Sequence, residues 1–209
     1  MVAIYSQLLQ KRFGGKLGPT GDEYIGYTVQ GATRMESLLR DLRTYTQVST
    51  MGQDPTDDID ASEILQKTLL NLQVAISNSG ASISSTALPK VRMYEFQLEQ
   101  VLLNLITNAI HAMAENDEPR VLSVKSEIVE NDAVMVSVAD TGPGIGPQDI
   151  DRIFNPLFTT KTDGMGMGLS ICRSIIEAHQ GRLWVAPNNP QGAVFQFTLP
   201  ANTPMSASA

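Results

Sequence analysis

The chain is predicted to be α+β: a two-layer α/β sandwich, with helices backing one face of a mixed sheet, preceded by an α-helical hairpin. Three observations predict this. Two stretches of helical apolar spacing, parted by glycines, fill the first 48 positions. From Ile59 onward, long apolar helices are interleaved with strand pairs joined by turn residues. Finally, 42% hydrophobic against 18% charged residues supplies an ordinary buried core.

Gly14, Gly15, Gly18 and Pro19 part the first two helices, which form an αα-hairpin. On the second helix Ile25, Val29, Ala32, Met35, Leu38, Leu39, Leu42 and Tyr45 recur at spacings of three and four. A stripe that wide does not belong on a solvated helix. Tyr5, Leu8 and Leu9 of the first helix cover only part of it, so pairing with a second copy is expected, with packing against the following domain as the alternative. The hairpin thus occupies 1–49, and Gly52, Pro55 and several acids mark 50–58 as a linker. The second domain, 59–200, is read as a helix over 61–78, a short strand over 81–86 and a helix over 94–114 that opens beyond Pro89. Strands over 120–129 and 133–140, a glycine-rich loop, a helix over 168–180 and a closing hairpin over 182–199 complete it. The end, 201–209, has the composition of a disordered tail.

Length and charge limit the function. With 209 residues there is room for one full-sized domain and a smaller element, since a domain takes about 100–150 residues. A net charge of -7 disfavours nucleic acid and anionic membranes as partners, so any polyanion must be held locally. Cys172 stands alone, which excludes an internal disulfide and suits a reducing cytoplasm. No apolar run approaches the roughly 20 residues of a membrane span, and the N-terminus lacks a signal-peptide pattern.

Chemistry concentrates at four places. In QVLLNLITNAIHAM, Asn104 and Asn108 lie four apart and share one face of an apolar helix. Two amides there are either buried with backbone partners or offer an oxygen to a hard cation. DTGPGIG follows the strand VMVSVAD, placing Asp140 at the strand's end, where a buried carboxylate can accept from an exocyclic amine. Gly142, Gly144 and Gly146 let backbone approach a flat ligand, although a plain turn has the same composition. DGMGMGL sets Gly164, Gly166 and Gly168 just before an apolar helix, a way to offer free N–H groups to phosphate oxygens. It is neither a Walker A loop nor a dinucleotide fingerprint, because no GK[ST] follows and no βαβ unit begins there. Between the glycine clusters, Phe154, Phe158, Thr159, Thr160 and Lys161 lie on a proline-punctuated segment long enough to be a mobile lid.

In that order, Asn104/Asn108, DTGPGIG, FNPLFTTK and GMGMGLSICRSIIEAHQG resemble the N, G1, F and G2 boxes of sensor histidine kinases. The resemblance covers Ile59 to Pro200 and implies a Bergerat-type ATP-binding fold, with ATP under a flexible lid. The hairpin, from AIYSQLL to RTYTQV, is similar to the latter part of the dimerisation and phosphotransfer domain of phytochrome-type kinases, where two hairpins form a four-helix bundle. The resemblance implies that Asn108 ligates the Mg²⁺ on the ATP phosphates, with Asn104 supporting it one turn earlier. Asp140 would receive the adenine amino group, with Gly142 and Gly144 lining the pocket. Lys161 would reach the phosphates from the lid, and Gly164, Gly166, Gly168 and Leu169 would shape the lid's end and the phosphate site. His111 stands where a basic residue often lies near the phosphates, or is simply a half-exposed helix histidine.

The family's acceptor histidine lies in an H box on the first helix, upstream of the YSQLL stretch, and no such box is present. His179 resembles a structural residue at the family's helix-to-strand turn, so the chain reads as a piece that binds nucleotide without autophosphorylating. In a parent protein the γ-phosphoryl would pass to histidine and on to an aspartate of a response-regulator receiver domain. Alternatives remain: a non-kinase ATPase of the same superfamily, disfavoured because Asn104 stands where those carry a water-activating Glu; an anti-sigma-type serine kinase, disfavoured by the hairpin; and a nucleotide-binding pseudokinase.

Overall fold

A computed structural model describes residues 1–50, 58–114, 119–129, 133–161 and 164–200, with side chains at 34, 37, 38 and 40–50 outside the description. The expected linker, the tail, and Leu38, Leu42 and Tyr45 of the apolar stripe therefore lie wholly or largely outside the described residues.

The hairpin consists of α1 (Val2–Phe13) and α2 (Gly18–Thr50). Lys11 and Arg12 occupy the last turn of α1, where cations favour the helix dipole. The turn is held by Asp22, whose carboxylate accepts from the Gly15 N–H at 2.9 Å. Ala3 and Ala32 are buried, Ile25 and Val29 are half-buried, and Tyr5, Leu8, Leu9, Tyr24, Tyr27, Met35 and Leu39 remain exposed. Small side chains are the buried ones here, while most of the larger described apolar ones stay on the surface.

The second unit opens with β1 (Asp58–Asp60), which pairs antiparallel with β3 (Lys90–Arg92), Ile59 standing opposite Val91. Asp60 then caps α3 (Ala61–Asn71), accepting from the N–H groups of Ser62 and Glu63 at 2.8 and 3.4 Å. The single helix expected over 61–78 is two: α3 and α4 (Gln73–Ser79), meeting at Leu72. Thr68 bonds back to the Ile64 carbonyl at 2.8 Å, a contact that bends helices, and the bend keeps Leu69, Leu72 and Ile76 against the core.

The sheet contains β2 (Ser82–Ser85), β4 (Val121–Val129), β5 (Ala133–Asp140), β6 (Arg182–Pro187) and β7 (Ala193–Pro200) in the order β2-β4-β5-β7-β6. Only β2 and β4 run parallel, so the sheet is mixed as expected. Along β5, Val134, Val136 and Val138 alternate into the core, and the same parity carries Asp140 inward. Facing them are α5 (Glu95–Met113) and α6 (Gly168–Ala178), with Leu98, Val101, Leu102, Leu105 and Ile106 on the first and Ile171, Ile175 and Ile176 on the second. Each such side chain contributes about 1.5–3 kcal/mol by leaving water. Among the described residues no helix is long and apolar enough to cross a membrane.

Candidate functional site

Asp140 is 2% exposed, at the end of the central strand. Its Oδ1 accepts from the Gly142 N–H at 2.8 Å and the Ala193 N–H at 3.3 Å. No described residue donates to Oδ2, although no sealed polar atom lacks a partner. One carboxylate oxygen thus belongs to the fold and the other is left for something outside it. Burial raises the carboxyl above its ordinary range, and the two N–H bonds pull it back. The Asp140 carbonyl accepts from the Asn188 side chain at 2.7 Å, and a Cβ on Gly192 would collide with that same carbonyl. Gly192 also has φ +119°, so two independent reasons require glycine there.

One face of α5 collects the rest of the site. Asn104 donates from Nδ2 to the Gly168 carbonyl at 3.1 Å and accepts from Gln100 at 3.2 Å. One turn later, Asn108 Oδ1 accepts from Lys161 Nζ at 2.8 Å, and His111 Nδ1 lies 3.3 Å from the same nitrogen. Another turn on, Ala112 is so near the loop after β5 that a Cβ on Gly142 would lie 3.0 Å from its methyl. Positions 104, 108, 111 and 112 therefore join the start of α6, the lysine of the intervening segment and the glycine loop into one surface. Desolvation lowers the pKa of Lys161; desolvation first and the Lys161 charge second lower that of His111. Lys161 as a whole is exposed, while its ammonium is drawn in against the helix.

The segment between the glycine clusters, expected to be a mobile lid, is folded into turns in its first part. Backbone turns join Gly146 to Asp149, Asp149 to Arg152 and Ile153, and Arg152 to Asn155. Phe154 is buried edge-on to Phe195 at 6.4 Å, with the Arg173 guanidinium 4.5 Å from its ring centre. The first part is therefore anchored to the body, because a buried aromatic holds it. Beyond it, Gly166 has φ +68°, and a Cβ there would meet the backbone of Leu157 and Phe158 at 2.5 Å. At the start of α6 the early N–H groups, Leu169 included, have no preceding carbonyl within the helix to bond.

Asp140, Gly142, Asn104, Asn108, His111, Lys161 and Gly168 are thus brought together, whereas Asp163 lies outside the described residues. Gly144 approaches the Gly192 carbonyl, and Gly164 stands beside Thr159 and Lys161. Glu99 is engaged elsewhere, by Lys67 at 3.2 Å and Asn71 at 2.9 Å. His179 is held 2.6 Å from buried Gln97, in the structural position expected. Burial pushes the Cys172 thiol up to about 12, which removes it from thiolate chemistry. Sequence reasoning missed Asn188, Gly192 and Ala193; their only signal was a turn composition, NNPQG, between two strands.

Residues 93–203 match the family described as histidine kinase-, DNA gyrase B- and HSP90-like ATPases. The chain belongs to this family. Among curated relatives of this ATPase domain, phytochrome-like protein Cph1 of Synechocystis sp. is 36% identical over 95% of the chain, which spans only 27% of that relative's length. The full-length structure of ShkA in complex with AMPPNP superposes with a TM-score of 0.72 at 26% identity, covering 95% of this chain and 42% of that one. Histidine kinase ThkA, solved in complex with the response regulator protein TrrA, gives a TM-score of 0.69 at 26% identity, covering 95% and 57% of the two chains. The similarity extends through the helical hairpin and identifies the domain as homologous to those of phytochrome-type and other sensor histidine kinases.

Proposed function

We propose that this chain is the ATP-binding and dimerisation part of a sensor histidine kinase, divided into a hairpin (1–49), a linker (50–58) and a catalytic domain (59–200). The observation that carries the reading is Asp140. Its Oδ1 is fully used by two backbone N–H groups, and its Oδ2 is available to the exocyclic amine of adenine in a pocket bounded by Gly142 and Gly144. Guanine offers an oxygen at that position and would meet a carboxylate, so adenine is selected.

The phosphates lie along the α5 face, toward Lys161 and the N–H groups of Gly168 and Leu169, with Gly164 and Gly166 shaping the lid's end. Among the described residues no group of three or more His, Cys, Asp or Glu side chains could hold a metal. Asn108 offers a single oxygen, which already carries a cation in the form of the Lys161 ammonium. One amide oxygen, with phosphates and water, suits Mg²⁺, which sheds water reluctantly and rarely uses an all-protein cage. When bound, Mg²⁺ supplies charge neutralisation at the phosphates, and the chain's own residues position the nucleotide around it.

Phosphoryl transfer would go to a histidine other than these two, since His111 faces Lys161 and His179 is tied to Gln97. A receiver-domain aspartate would follow, as supported by the ThkA–TrrA complex. The exposed apolar residues of α1 and α2 would pair with a second copy. A hydrolytic ATPase is disfavoured, because the Asn104 amide is bound to Gly168 and Gln100 and carries no base. The buried, unpaired Cys172 suits the cytoplasm.

Calorimetric titration with a non-hydrolysable ATP analogue and its guanine counterpart, with Mg²⁺ or with EDTA, tests the assignment. Adenine-selective binding, tightened by Mg²⁺ in the unsubstituted chain but not in Asn108→Ala, is expected. Equal affinity for the two bases, or no binding at millimolar nucleotide, would sink the reading.

A further inference from the structure

Lys161 and Asn108 lie 53 positions apart, yet the ammonium is 2.8 Å from the amide oxygen. Its second partner is His111 Nδ1 at 3.3 Å, three residues along the same helix face. An ammonium has donors only: Asn108 turns its oxygen toward it, and His111 accepts in the neutral tautomer that carries its proton on Nε2. None of the described ion pairs includes Lys161, so among the described residues its side-chain partners are the Asn108 amide and the His111 ring. The backbone is arranged to hold it there. Lys161 N–H donates to Thr159 Oγ1 at 3.1 Å, and Gly164 N–H closes a turn onto the Lys161 carbonyl at 3.3 Å. A side chain at 164 would crowd Thr159 Oγ1 at 2.5 Å and Lys161 Cβ at 3.0 Å, so the position suits glycine.

Granted the nucleotide site proposed above, that oxygen is the one a divalent cation needs, and an ammonium seated 2.8 Å from it repels the incoming cation. We infer that the Lys161 ammonium is the resident cation of the nucleotide-free site: it occupies Asn108 Oδ1, stands in for the divalent metal when nucleotide binds without one, and is displaced when the metal binds. This separates Lys161 from an ordinary phosphate contact. A lysine that only touches phosphate contributes in both conditions, and only somewhat more without metal because the metal-free nucleotide carries more charge. A lysine that substitutes for the metal matters chiefly when metal is absent.

The test is the ratio of the dissociation constant of an ATP analogue in EDTA to that in excess Mg²⁺, for the unsubstituted chain and Lys161→Met. Lys161 is exposed, so the variant is expected to fold, and its thermal midpoint checks this. A charge-assisted hydrogen bond is worth less at a wet site than when shielded, so the ratio should rise about tenfold in the variant. Equal weakening under both conditions would overturn the inference and leave Lys161 a phosphate contact. A second readout needs no nucleotide. Of the two histidines, His111 is assigned with a His179→Gln variant, and its ring nitrogens are followed by ¹⁵N NMR. The Nδ1 resonance should move in Lys161→Met toward that of a ring without the ammonium, and an unmoved resonance would mean that the lysine does not sit there. If the unsubstituted chain binds no nucleotide at all, the nucleotide site fails and the metal substitution fails with it, while the His111 resonance separately decides whether the lysine occupies its seat on α5.

Discussion

Replacing Asp140 by Asn separates the structural job of its carboxylate from the proposed job of reading adenine. The amide oxygen can take the place of Oδ1, accepting from Gly142 at 2.8 Å and Ala193 at 3.3 Å, and those two donors forbid the flipped orientation. The amide nitrogen then stands where Oδ2 stood, presenting N–H groups to the adenine amine. A charge-assisted bond of about 1.5–3 kcal/mol is lost, and a buried donor left unpaired costs about 1–3 kcal/mol more. Adenine-nucleotide affinity should fall by roughly a hundredfold or more, at about 1.4 kcal/mol per factor of ten. Stability should move the other way. Burial raises the Asp140 carboxyl above its ordinary value, so the folded chain holds that proton more tightly than the unfolded one. The resulting stabilisation is complete below the ordinary aspartate range, about pH 4, and is lost as pH rises through the folded value. Asparagine has no such titration, and the variant should be as stable as the native chain, or more so, at neutral pH. Nucleotide titration together with thermal unfolding at acid and neutral pH measures both effects. An affinity within a few-fold of native would refute Asp140 as the base reader, and a large fall in the neutral-pH midpoint would make the carboxylate structural.

Gly192→Ala places a methyl against the Asp140 carbonyl at φ +119°, and should destabilise the chain by on the order of 2–4 kcal/mol in urea unfolding. A loss under about 0.5 kcal/mol would show that the β6–β7 loop yields freely. Leu9→Glu puts charge into the exposed apolar surface of the hairpin, and should weaken self-association about tenfold or more by light scattering, without changing nucleotide affinity. An unchanged molar mass profile across concentrations would remove that surface from the dimer.

The elements read correctly from sequence are those whose side-chain pattern is long enough to have a period. α5 and β5 each repeat their pattern several times, and the inward parity of β5 extends to Asp140, so the buried carboxylate could be anticipated from valines at 134, 136 and 138. β3 spans Lys90–Arg92 with one buried residue, too short for any alternation, and β1 is no longer. The break at Leu72 was hidden because the apolar spacing continues through it, while a Thr68 hydroxyl bends the backbone. At the site, glycines and amides were visible by type and order. What Asn188, Gly192 and Ala193 do was not, because they act through backbone atoms and one side-chain amide whose target lies about fifty positions away in sequence. Lys161 was legible as a lid cation, but its partners on α5 required the fold.

The two ends of the site are built with different stiffness, and this bears on how the domain works. At Asp140, two N–H bonds, the Asn188 amide and the close approach of Gly192 converge on one residue from its own loop and from the β6–β7 turn, so moving it disturbs both together. At the other end, a single exposed lysine joins its segment to α5 through two neutral acceptors. Breaking those contacts exchanges them for water at little net cost. Phe154, buried against Phe195, anchors the first part of the segment that ends at that lysine. Recognition of the base can therefore be preorganised while the phosphate end rearranges around each new cation and nucleotide. The proposed phosphotransfer role would need that combination, because it requires one end of the ligand to be held still while the other is exposed to an acceptor.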